Sequence, residues 1–69
     1  MKKATEILSD MIALLTYYLD NDLSNIDKNS APFAYGEKTA YVECLEMISE
    51  WKKAQEHGLD FQVEKRFPL

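Results

Sequence analysis

Several things are scarce in this 69-residue chain, and each scarcity removes a class of function. One cysteine, Cys44, cannot form an internal disulfide, so no covalent staple supports the fold, and the chain suits a reducing compartment. One histidine, His57, leaves no zinc spacing and no Glu-x-x-His pair of the kind that holds two metals inside a helical bundle. Two glycines, Gly36 and Gly58, stand far apart, so no glycine-rich loop cradles a phosphate and no nucleophile elbow exists. Long apolar runs are missing as well. Met1-Lys2-Lys3 resembles the start of a secretory leader, but Glu6 and Asp10 interrupt the apolar stretch a leader needs, and no segment approaches the length of a membrane span.

Positive charge is also sparse. The net charge is −4, and six of the eight basic residues fall in short separated pairs, Lys2-Lys3, Lys52-Lys53 and Lys65-Arg66, with Lys28 and Lys38 standing alone. Neither a phosphate-tracking groove nor an anionic membrane surface finds a matching basic face, so nucleic acid and membrane are not expected partners. The expected location is cytoplasmic.

What is present is apolar residue at helical spacing. In the first segment Ala4, Ile7, Leu8, Met11, Ile12, Leu14, Leu15, Tyr18 and Leu19 recur by threes and fours and form one broad face. In the second, Tyr41, Cys44, Leu45, Ile48, Trp51 and Ala54 follow the same rule. The spacing predicts helix 1 over about residues 3–23, a polar linker at 24–30 and helix 2 at 31–57, with a tail at 58–69, all in one domain. Asp20, Asn21, Asp22, Ser24 and Asn25 compete for backbone hydrogen bonds and favour the linker. Ser30 reads as an N-cap ahead of Pro32, and Gly36 inside a helix implies a close helix approach. Gly58 reads as the C-cap, with helix 2 ending near His57. Leu59, Phe61 and Val63 alternate with polar residues, the period of an extended strand, so the tail should lie extended along the helices or reach a neighbouring copy.

The fold class expected is therefore all-α: a two-helix antiparallel hairpin with an extended C-terminal tail. Ordering a chain this short costs on the order of 100 kcal/mol, and each large apolar side chain returns only ~1.5–3 kcal/mol when fully buried. Two helices side by side leave half of each wide face wet, so the expectation is a homodimer, with two hairpins closing into a four-helix bundle. Its interface residues are expected to be Leu8, Met11, Leu15, Tyr18, Tyr41, Leu45, Ile48, Trp51, Phe61 and Phe67.

Chemistry-bearing constellations are weak. On one continuous helix Cys44 and His57 would stand about 20 Å apart and on different faces, too far for a thiol–imidazole dyad. Glu43, Glu46, Glu50 and Glu56 with Lys53 read as a solvated face. Asp20, Asp22 and Ser24 mimic the opening of a calcium loop, but Asn25 replaces its glycine and Ala31 its bidentate glutamate. No catalytic residue, cofactor or metal is expected, and a metal-binding bundle remains as an alternative only if a symmetric dimer brings His57 or the glutamates of two copies together. The aromatic residues form either core or a groove near Phe33-Ala34-Tyr35-Gly36 that could receive Phe67-Pro68-Leu69 or a foreign peptide, which leaves a heterologous protein as the alternative partner.

The run from Phe33 through Ile48, with Trp51-Lys-Lys-Ala, Gly58-Leu-Asp-Phe and the closing Arg66-Phe-Pro-Leu, resembles small uncharacterised helical proteins of Gram-positive bacteria and their mobile elements. The resemblance covers the C-terminal half and implies no activity, cofactor or site residue.

Overall fold

The computed structural model describes residues 3–69; the Met1-Lys2 start weighed above as a leader lies outside the described residues. The order of elements is α1 (Ala4–Asp20), α2 (Pro32–Ser49), a 3-10 turn (Gln55–His57) and a single-turn helix α3 (Val63–Arg66). The described residues are all-helical, and no strand forms among them.

Helix α1 opens where Lys3, in extended conformation, accepts hydrogen bonds from the backbone N–H groups of Glu6 and Ile7. It stops three residues short of the expected Leu23. Asn21 closes it twice over: its backbone N–H and its side-chain Nδ2 both donate to the Tyr17 carbonyl, at 3.0 and 2.8 Å. The chain then turns so that Leu23 N–H reaches the Tyr18 carbonyl (2.9 Å). Leu23 keeps its place in the core without being helical, and Ile26 packs against that core half-buried. Asp27 orders the rest of the linker by accepting from Asn29 N–H through its side chain and from Ala31 N–H through its carbonyl.

Helix α2 starts at Pro32 with Ala31, not Ser30, in the capping position, and no side chain caps it. Proline at the first helical position lacks an N–H that would have gone unpaired anyway. The helix ends at Ser49 rather than near His57. Ser49 Oγ bonds back to the Glu46 carbonyl, and from there the chain winds more tightly: Trp51 N–H donates to Ile48 and Ala54 N–H to Trp51, each at i−3. A serine hydroxyl competing for the last carbonyls loosens a helix end. Gly58 terminates this stretch at φ 106°, a left-handed conformation that side chains resist. Leu59 N–H then closes onto the Ala54 carbonyl at 3.0 Å.

The tail departs most from its expected form. Val63–Arg66 is a helical turn, not an extended strand. A lone strand needs an edge to pair with, whereas a helical turn satisfies itself: Arg66 N–H donates to Gln62 and Phe67 N–H to Val63. Apolar residues four apart, Val63 and Phe67, thereby face the same way and are both buried.

The two long helices run in opposite senses. Ser9 and Ile12 on α1 lie beside His57 and Gly58, whereas Tyr18 further along α1 stacks on Tyr41 of α2. The core is Ile12, Leu15, Leu19 and Leu23 from the first half, Val42, Leu45 and Ala54 from the second, and Leu59, Val63 and Phe67 from the tail. The tail is thus the third wall, and it supplies three of the ten core residues.

Candidate interaction surface

The tail covers one side of the α1–α2 pair. It is fastened there by Arg66, whose guanidinium sits 2.7 Å from Asp20 Oδ2 and 4.4 Å from the centre of the Phe61 ring. Phe61 and Phe67 meet edge to face, with centroids 5.9 Å apart. At the far end the Tyr35 hydroxyl donates to the Leu69 carbonyl at 3.3 Å. The expected meeting of Phe67-Pro68-Leu69 with the start of helix 2 is present through Tyr35, while Phe33 points away, 95% exposed.

The opposite side is open. On α1 two apolar rows run side by side with identical 4-3-4 spacing. Leu8, Ile12, Leu15 and Leu19 form the inner row, and all but half-buried Leu8 are in the core. Ile7, Met11, Leu14 and Tyr18 form the second row, one residue behind the first and so rotated about 100° from it. In this second row Ile7, Met11 and Leu14 are 41–51% exposed.

Tyr18 connects this row to α2. Its ring stacks on Tyr41, centroids 5.9 Å apart, and meets Tyr17 edge to face. From Tyr41, steps of three and four lead along α2 to Cys44 and Ile48, both half-buried against the rim of the core. Met47 stands beside them, 73% exposed. One face of the hairpin thus carries a continuous strip of aliphatic and aromatic side chains drawn from both helices. The exposure of Ile7, Met11, Leu14 and Met47 shows that no further part of the described chain covers them.

The polar edge of the strip is ordered. Tyr41 Oη donates to Glu37 Oε1 at 2.8 Å, one turn back on α2. That hydrogen bond, with lesser help from desolvation and the nearby negative charge, holds the Tyr41 phenol above its ordinary pKa. Gly36 lies within α2 as expected, but a Cβ placed there would meet nothing within 4 Å. The close helix approach that would justify a mid-helix glycine is therefore not made inside the chain.

Of the ten residues expected at an interface, Leu15, Leu45 and Phe67 are enclosed in the chain's own core. Leu8, Tyr18, Tyr41, Ile48, Trp51 and Phe61 are half-buried and Met11 is exposed. Tyr18, Tyr41, Ile48 and Met11 come together on the open face; Phe61 belongs to the tail side, and Trp51 stacks on His57 with ring centres 5.0 Å apart. The interface list drawn from the sequence omitted Ile7 and Leu14, whose 4-3-4 row was visible beside that of Leu8.

His57 is engaged by Trp51, Cys44 packs at the rim of the core, and Asp20, first residue of the calcium-like stretch, pairs with Arg66. Among the described residues no group of three or more His, Cys, Asp or Glu side chains is placed to hold a metal ion. No helix among them is long and apolar enough to cross a membrane. Comparison with protein-family models, with curated proteins and with solved structures finds no match to this chain.

Proposed function

We propose that this chain is a non-enzymatic interaction protein that works by self-association, two copies laying their open faces together to complete a four-helix bundle. The observation that carries the reading is the second 4-3-4 row, Ile7, Met11, Leu14 and Tyr18, which the tail leaves uncovered while burying the first. A row with heptad-type spacing is what an antiparallel copy of itself packs against, and a two-fold axis through it pairs each row with its own image. Met11 and Met47 suit such a surface because flexible thioethers fill irregular gaps. Gly36 and Ala40, one turn apart on the solvent side of α2, leave room for a neighbouring helix to approach that flank.

The same strip could take an amphipathic helix from a different protein. A second copy is favoured because the chain already displays the complementary row, in the same register and at the same local concentration as its target. Sedimentation equilibrium of the full chain tests it: a reversible monomer–dimer equilibrium in the micromolar range is expected, and a single species of 8.0 kDa at every concentration would refute it.

A further inference from the structure

On the tail side, away from the open rows, one side chain stands out from the core pattern. Lys38 occupies a core-facing position of α2, four residues before Val42 and seven before Leu45, and it is only 8% exposed, the sole buried charged residue among those described. Its side chain makes no hydrogen bond or ion pair among the described residues. Its stem is buried while its ammonium stays open to solvent at the cleft, as lysine side chains do, and is available there to an anion. Lys38 lines a cleft of about 300 Å³ together with Leu19, Asp20, Ser24, Arg66, Phe67 and Pro68.

The walls of this cleft define the chemistry of an occupant. Lys38 and Arg66 against Asp20 leave one positive charge in excess, in a chain whose net charge is −4. The Asp20 carboxylate meets Arg66 at 2.7 Å and forms no ion pair with Lys38. Arg66 retains further N–H donors beyond the one given to Asp20. Leu19, Phe67 and Pro68 supply apolar wall beside these charges. We infer that the cleft is a binding site for a small monocarboxylate, its carboxylate received by Lys38 and Arg66 and its hydrocarbon body lying on Leu19, Phe67 and Pro68. A dianionic phosphate fits less well, because the lining carries one positive charge in excess rather than two. The inference is independent of self-association, since no residue of the open rows lines the cleft.

Butyrate, its neutral isostere butyramide and inorganic phosphate serve as probes in an NMR titration of the full-length protein. Butyrate should give saturable shifts in the backbone amides of Leu19, Ser24, Arg66 and Phe67 at millimolar concentration. Butyramide, which offers no charge, should bind about ten- to a hundredfold more weakly, the range for a charge-assisted hydrogen bond. Lys38→Met, which keeps the buried stem and removes the charge, should reduce butyrate affinity to the level of butyramide. The comparison of the three probes on the wild-type chain stands even if that variant does not fold. Absence of saturable butyrate shifts, equal binding of butyramide, or preference for phosphate would each overturn the assignment.

Discussion

Replacing Leu14 by glutamate separates a surface kept for a partner from one that belongs to the chain's own core. Leu14 is 51% exposed on α1, in the middle of the open row. Leucine and glutamate have similar helix propensities, and only the covered half of the side chain is lost, so a single chain should give up about 1 kcal/mol. In a two-fold dimer the change occurs twice. Each copy forfeits a further ~1 kcal/mol of burial and must strip water from a carboxylate, which costs at least ~2 kcal/mol even in a forgiving site. The sum, about 6 kcal/mol, corresponds to roughly a ten-thousandfold weaker association.

The assay is sedimentation equilibrium combined with helical circular dichroism over a range of concentrations. Leu14→Glu should sediment as a folded monomer at concentrations where the wild type is dimeric, while Leu14→Met, which conserves volume, should dimerise normally. A Leu14→Glu protein that dimerises as well as the wild type would remove the open row from the interface. One that is unfolded at every concentration would place Leu14 in the single-chain core, contrary to the geometry described.

Phe67→Ala should cost about 3–5 kcal/mol and unfold much of the population, because it removes the aromatic anchor of the tail from the core; chemical denaturation followed by Trp51 fluorescence measures it. Arg66→Gln should cost no more than about 1 kcal/mol, since the Asp20 pair is roughly 40% exposed on both sides and only the contact with the Phe61 ring adds to it; thermal unfolding checks this. Thr16 Oγ1 is buried with no hydrogen-bond partner among the described residues, so Thr16→Val should be neutral or stabilise by up to about 1 kcal/mol in the same unfolding assay. Tyr41 should ionise late in a tyrosinate absorbance titration, and Glu37→Gln should bring its pKa down towards the ordinary phenol value. Because its folded pKa is raised, the stability contributed by the Glu37 hydrogen bond is fully present below the unfolded phenol's pKa and is lost as pH rises from there through the folded value.

Legibility in the sequence followed the strength of the local signal. Long amphipathic rows made α1 and most of α2 readable, and Gly58 marked its turn because a residue without Cβ is the natural choice at positive φ. Helix ends were less readable, since they depend on which side chain wins the last free carbonyls. Asn21 closed α1 before Leu23, and Ser49 interrupted α2 well ahead of Gly58. The alternation Leu59, Phe61, Val63 was a true pattern with the wrong interpretation. With no sheet edge in reach, the same residues satisfy their backbone by one helical turn and still bury Leu59, Val63 and Phe67. Lys38 could not have been singled out, because its burial depends on the tail folding over it.

Placement of the tail alters the balance that chain length alone implies. Two helices alone cannot enclose their apolar faces, but that count treated Leu59, Phe61, Val63 and Phe67 as peripheral. The structure brings three of them into a ten-residue core, so α1 receives a cover on one flank from its own chain. A cover of eleven residues with one helical turn is too small to wrap both flanks, and it takes the side that Arg66 can reach from Asp20. The doubled row on α1 therefore has one half satisfied locally and one half left over. Dimerisation, on this view, is not what allows the chain to fold; it is what the folded chain has left to do. The two events should accordingly separate in Leu14→Glu, whereas Leu15→Asp, one residue further along and 9% exposed, should abolish both by placing an unpaired carboxylate in the single-chain core.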